Sequence, residues 1–150
     1  MRVLDIKDVS IKIVPEILYE FACNSPYALL NTIDKEHLTK KVHEIVDNQE
    51  YICKLLFTDS AECVGIMFGV NFEIFYFEEK WNQEFAWYVK PDYRKGSGKL
   101  LLSSYEDECY LQGVKKIMFS VMNNPYLDRV TEFMEANGYK YTEKMFTKVM

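Results

Sequence analysis

The residues best placed to do chemistry lie in one stretch, Tyr88-Val-Lys-Pro-Asp-Tyr-Arg-Lys-Gly-Ser-Gly-Lys-Leu-Leu-Leu102. Two glycines, Gly96 and Gly98, and three cations, Arg94, Lys95 and Lys99, stand directly before an apolar pattern of helical spacing, Leu101, Leu102, Tyr105 and Cys109. The opening amides of a helix have no partner inside it, and the helix dipole is positive at that end. A glycine-bearing, cationic entry, here Arg94, Lys95, Gly96, Ser97, Gly98 and Lys99, therefore suits a phosphate or pyrophosphate. The same glycines could serve only as a strand-to-helix turn, and a GxG alone does not separate the two readings. A nucleotide P-loop is excluded. It needs a glycine five residues before Gly98 and a Ser or Thr after Lys99, where this chain has Tyr93 and Leu100.

Other reactive side chains form no comparable set. His37 and His43 are six residues apart on one predicted helix, which puts them on different faces and predicts no metal site. Cys23, Cys53, Cys63 and Cys109 are widely spaced without a CxxC, the pattern of buried reduced thiols. The acidic run Glu106-Asp-Glu108 falls on what should be the wetted side of its helix. A net charge of −5 argues against nucleic acid, whose readers show a basic face, and would favour a cationic substrate. No apolar run approaches a membrane span and the N-terminus does not read as a signal peptide, so a cytoplasmic protein is expected. The length of 150 residues suits one domain over 1–150 with a real core.

These residues need elements to hold them. Met1 to Ile6 reads as a short strand, and Val14, Ile17, Leu18 and Phe21 as one helix face, with Pro15 in the first turn. Asn24-Ser-Pro26 stops that helix, and Tyr27 to Ile33 is a connection. Asp34 caps a second helix carrying Leu38, Val42, Ile45 and Val46. Tyr51–Phe57 and Cys63–Val70 read as a hairpin around Thr58-Asp-Ser-Ala-Glu62, and Gly65 and Gly69 suggest a bulge or close backbone approach. Phe72 to Phe77 is strongly apolar and could line a binding site, the core or a dimer surface; Glu78 to Gln83 reads as a polar loop. Phe85 to Val89 is a buried strand that Pro91 ends. A helix runs from about Gly98 to Gln112 and stops at Gly113. Lys116 to Val121 is the next strand, giving a parallel crossover. A last helix carries Leu127, Val130, Phe133 and Met134 inward, Asn137-Gly138 ends it, and Tyr139 to Val149 supplies one or two final strands.

The order β-αα-βββ-α-β-α-β, the segment V-x-P-x-Y-R-x-G-x-G-x-x-L-L and the closing Arg129-Val…Phe133-Met-Glu-Ala-Asn-Gly-Tyr139 together resemble the GNAT superfamily of acetyl-CoA-dependent N-acetyltransferases. The resemblance spans nearly the whole chain and implies an α/β (α+β) GNAT fold, a mixed central sheet flanked by helices. It implies acetyl-CoA as co-substrate, with its pyrophosphate on the turn Arg94 to Lys99. It also implies transfer to a primary amine, on a small polyamine-like molecule or a protein, by direct attack in a ternary complex. Strand-four backbone near Tyr88 and Val89 would stabilise the oxyanion, and Asn123 and Asn124 would meet the CoA arm. Glu84, at the start of strand four, stands near where some members of the family carry a catalytic glutamate, and Tyr126 is the nearest phenol for a general acid. Two positions depart from the family. The family's Gln or Arg falls on Tyr93, with Arg94 one residue late, and its tyrosine position is Met134. These departures keep open an alternative, a GNAT-fold binding or structural protein with weak or lost catalysis. A homodimer through the final strand is a further possibility that the family allows.

Overall fold

The computed structural model describes residues 1–122 and 125–148. Five strands form one sheet in the order β1 (Arg2–Asp5), β2 (Tyr51–Phe57), β3 (Cys63–Glu73), β4 (Lys80–Val89), β5 (Lys116–Met118). The first four pair antiparallel, and β5 is parallel to β4. That parallel step follows from the crossover helix α3 (Ser97–Leu111). Helices α1 (Val14–Cys23) and α2 (Lys35–Asp47) precede β2, and α4 (Leu127–Ala136) follows β5. Pro15 sits in the first turn of α1, where its missing N–H costs nothing. Asp34 caps α2, its Oδ1 accepting from the His37 amide at 3.0 Å.

The strands are buried on both faces, so the sheet separates two cores. On one side Val14, Ile17 and Leu18 of α1 and Val42 and Ile45 of α2 cover Leu55, Ile66, Ala86 and Tyr88. On the other, Leu101, Leu102, Tyr105 and Cys109 of α3 cover Ile52, Leu56, Val64, Met67 and Val89. Lys54 is the charged exception in β2. It is buried between Asp5 at 3.1 Å and Glu108 at 2.8 Å. Gly65 is required by close approach, since a Cβ there would stand 2.9 Å from the Tyr88 carbonyl oxygen.

Several expectations are corrected. Lys80 to Gln83 belong to β4 rather than to a polar loop, because their polar groups find partners within the fold. The buried Asn82 donates to Asn71 at 2.8 Å and accepts from the Tyr105 hydroxyl at 2.5 Å. Glu84 consequently lies inside β4, not at its start. β5 ends at Met118 instead of Val121: among the described residues its pairing with β4 stops at Gln83, next to the irregularity that makes Phe85 an extra residue in β4. Among the described residues no strand follows α4; a three-residue β5 offers only a short edge to pair with. Glu106 and Glu108 are not simply wetted: Glu106 accepts from the Tyr139 hydroxyl at 2.6 Å, and Glu108 holds Lys54 and Gln112. Of the four free cysteines, Cys53 and Cys109 are buried and Cys63 half-buried, but Cys23, at the last turn of α1, is exposed.

Candidate active site

The site begins with a break in the sheet. β4 pairs with β5 only over Trp81–Gln83 and Lys116–Met118. Just beyond, the β3–β4 register shifts at Phe68/Gly69, where Phe68 faces Ala86 and Gly69 faces Glu84, so Phe85 is an extra residue in β4. A bulge of this kind bends its strand and ends regular pairing. Gly69 permits it, for a Cβ there would overlap the Tyr105 hydroxyl and the Gln83 carbonyl. Gln83 holds the two strands at the fork. Its Nε2 donates to the Glu84 carbonyl at 2.9 Å and reaches the Met118 carbonyl at 3.5 Å and Ser120 Oγ at 3.4 Å.

Where the strands part lies a cavity of about 110 Å³, walled by Phe21 of α1, Glu84 and Trp87 of β4, Phe119 and Ser120 after β5, and Met134 of α4. Among the described residues its lining is apolar apart from Glu84 and Ser120. Glu84 is 6% exposed, and the only group donating to its carboxylate among the described residues is the Ser120 amide, at 3.4 Å. Burial pushes its pKa up to about 8, against which the Ser120 N–H acts only weakly. A carboxyl poised near neutrality in an apolar cleft can exchange a proton.

Backbone amides face the same opening. The Lys90 N–H donates to the Val64 carbonyl at 2.8 Å, which fixes the alternation along this end of β4. The amides of Tyr88 and Ala86 therefore turn toward β3, and those of Val89 and Trp87 toward the open edge. The Tyr88 phenol is engaged on the α1 side, donating to Glu20 Oε1 at 2.7 Å, and burial followed by that bond raises its pKa.

The glycine turn adjoins the cavity through Trp87. Trp87 packs on Phe119 and Phe133, and a Cβ on Gly98 would meet its ring at 3.4 Å. Gly96 is left-handed at φ +81°, and no side chain caps α3. Its first backbone bond runs from Leu100 N–H to the Gly96 carbonyl at 3.3 Å, so the Ser97, Gly98 and Lys99 amides precede the helical ladder. Arg94, Lys95 and Lys99 are exposed around them. Arg94 Nε donates to the Val89 carbonyl at 2.9 Å and its guanidinium lies 5.8 Å from the Tyr126 ring centroid. Ser97 is buried, with Oγ donating to Met1 Sδ at 3.1 Å.

The fold thus brings Glu84, Val89 and the Arg94–Lys99 turn together around Trp87. Tyr126, at the N-terminus of α4, is placed beside Arg94 and does not wall the cavity, whereas Met134 does. Asn123 and Asn124 lie outside the described residues. Sequence reasoning missed Trp87, Phe119, Phe21 and Gln83; the two glycines of β3 were the available sign that β4 is deformed. His37 and His43 are exposed on α2, and among the described residues no cluster of three or more His, Cys, Asp or Glu could hold a metal ion. No helix of the described residues is long and apolar enough to cross a membrane.

No protein-family model and no curated protein sequence matches the chain. Solved structures do match. AAC(6')-Iy in complex with the bisubstrate analog CoA-S-monomethyl-acetylneamine superposes at TM-score 0.77 with 10% identity, covering 99% of this chain and 97% of that one. A GNAT family acetyltransferase of Staphylococcus aureus does so at 0.66 with 21% identity, covering 99% and 96%. A protein of Bacillus halodurans called a transcriptional regulator reaches 0.80 with 11% identity, covering 99% of each chain. At these identities the likeness is one of fold. The chain has the GNAT acetyltransferase fold.

Proposed function

We propose that this protein is an N-acetyltransferase that passes the acetyl group of acetyl-CoA directly to a primary amine. The observation that carries the reading is the joining, through Trp87, of a cationic glycine turn to a cleft holding one buried carboxyl. The turn suits a pyrophosphate: its leading amides are outside the helical ladder, three cations surround it, and Gly98 leaves room beside the indole. The structures of shared fold include one with a CoA-containing analog, which supports the same co-substrate.

The chemistry assigns roles to this chain's residues. A primary amine with a pKa of about 10.4 is almost wholly protonated at neutral pH and must lose a proton before attack. Glu84 in its ionised form accepts that proton. As the amine nitrogen bonds to the thioester carbon, charge gathers on the carbonyl oxygen, and the open-edge amide of Val89 is the donor assigned to it. The carbon–sulfur bond then breaks as the nitrogen gives up its second proton to solvent, and the amide forms while the thiolate leaves. Residue 134, a methionine, cannot protonate it, so the acid is Tyr126 or solvent. Tyr126→Phe distinguishes these: a rate at saturating substrates lowered tenfold or more supports Tyr126, and an unchanged rate assigns solvent. The acceptor is a small polyamine-like amine or a protein amine.

Thermal unfolding with and without acetyl-CoA is the primary test. Ligand at about one hundred times its Kd stabilises by roughly 2.7 kcal/mol. For a chain of this size that is a rise of about 5 to 11 °C. No rise at millimolar acetyl-CoA would overturn the reading. Met134 favours a second reading, a binding protein with weak catalysis, and a shift without turnover over a panel of amines would select it.

A further inference from the structure

Outside the cleft, a feature that no role above explains is the tip of the β3–β4 hairpin. A cavity of about 350 Å³ is lined there by Glu73, Ile74, Phe75, Tyr76, Phe77 and Glu78. Phe75 and Tyr76 are 94% and 78% exposed, and their rings meet edge to face with centroids 5.5 Å apart. Two aromatic rings at right angles and two carboxylates line this one space, and aromatic ring faces and carboxylate oxygens are both negative. An apolar partner would have to desolvate Glu73 and Glu78, whereas a cation would be drawn to both.

The same hairpin already holds one cation in this way. Phe77 stacks on Trp81 with the planes 7° apart, and Lys116 Nζ lies 4.9 Å from the Trp81 centroid and 5.8 Å from the Phe77 centroid. Glu79 completes that group by pairing with Lys116. Phe75 and Tyr76 with Glu73 and Glu78 again combine two aromatic rings with carboxylate, here two carboxylates and rings at right angles instead of stacked. Among the described residues, however, no lysine or arginine stands over Phe75 or Tyr76, and neither Glu73 nor Glu78 is in an ion pair.

We propose that the hairpin tip binds an organic ammonium group, with Phe75 and Tyr76 as its aromatic walls and Glu73 and Glu78 as its anionic rim. The site is separate from the cleft at Glu84, and its readout is binding rather than turnover, so it stands or falls independently of acetyl transfer.

The test is an NMR titration of the full chain at fixed ionic strength, following the amides of residues 73–78. The probe is choline, and the control is 3,3-dimethyl-1-butanol, which has nearly the same shape and no charge. Choline should give saturable shifts at millimolar concentration, as expected of an exposed cation–π site, and the neutral control should bind at least about fivefold more weakly. Phe75→Leu, Tyr76→Leu and Glu78→Gln, all exposed and so compatible with folding, should each weaken choline about threefold or more. Absence of shifts up to about 50 mM, equal binding of the control, or full binding by Phe75→Leu overturns the proposal. So do ligand-free shifts that grow with protein concentration, which would make the tip a self-association surface. The head group could come from a free amine or from a lysine side chain. Titrating n-butylamine against a terminally blocked Gly-Lys-Gly peptide separates these sources, tighter peptide binding assigning a polypeptide.

Discussion

Glu84 is a carboxyl that the fold holds in an apolar cleft at a cost to its own ionisation. The consequence has a definite sign. Its folded pKa is raised to about 8, above the ordinary 4.5, so the native state keeps a proton that the unfolded chain has lost. Stability from this group is full below pH 4.5 and falls as pH rises toward 8, by on the order of 5 kcal/mol at the upper limit. Glu84→Gln should therefore be more stable than the parent at pH 8.5 and nearly equal to it at pH 4.5, read from urea midpoints. Activity should move the other way. The parent rate should climb with pH through about 8 as the base ionises, and the glutamine variant should lose at least about a hundredfold. A parent rate flat from pH 6 to 9 would remove Glu84 as base. Gly98 supplies a second residue-scale prediction. Its Cβ would stand at ordinary contact distance from Trp87, so Gly98→Ala should fold and keep most of its acetyl-CoA affinity. Gly98→Asp places a negative group where the pyrophosphate is proposed and should weaken binding by a hundredfold or more by calorimetry. Similar affinity in both variants would mean that this turn holds no anion.

β4 is the element on which the site depends, and its deformation is what makes the cleft. Gly65 and Gly69 were legible as signs of a bulge or close approach, because a strand rarely gives up side-chain packing twice without a geometric cause. Which strand would bend was not legible, since the extra residue, Phe85, sits in β4 opposite the glycine. The start of β4 was hidden for a related reason. Lys80, Asn82 and Gln83 are polar, and polarity reads as loop until their partners are known. Those partners, Asn71, Tyr105, Met118 and Ser120, are distant in sequence or on other elements. Phe21 and Phe119 could not be placed at the cleft for the same reason, whereas the turn Arg94–Lys99 was readable because its chemistry is local. Gly69→Ala tests the element directly. A methyl group there would meet the Tyr105 hydroxyl and the Gln83 carbonyl, neither of which can retreat without breaking the polar chain to Asn82 or the bulge. The variant should lose about 2 kcal/mol or more in urea unfolding, with a weaker acetyl-CoA response in the folded fraction. Wild-type stability would show that the bulge is not held in place at Gly69.

Across the whole molecule, β1, β2 and α3 meet at one charged point, Lys54 between Asp5 and Glu108. From there a hydrogen-bonded chain runs through Gln112, Asn71 and Asn82 to Tyr105, along the side of the sheet that α3 covers. Burial by itself would lower the Lys54 pKa, but the bonds its ammonium donates to Glu108 and Asp5 outweigh it and leave it raised. The Lys54 bond holds the Glu108 pKa below the usual carboxylate value, with Gln112 helping. A carboxylate whose folded pKa is lowered contributes stability above its unfolded pKa and loses it as pH falls through the folded one. Lys54→Met keeps the bulk of the stem but leaves two half-buried carboxylates facing each other across the strand. We expect a loss of about 2 kcal/mol at pH 7, less than for a fully buried pair because Asp5 and Glu108 keep some contact with water. The loss should shrink toward pH 4, where protonation relieves the repulsion, and urea midpoints at the two pH values measure it. If Lys54→Met is as stable as the parent at pH 7, the ion pair adds nothing to the apolar packing and the hydrogen bonds of Tyr105 and Gln112 that join α3 to the sheet. The charged junction would then add specificity of register rather than free energy.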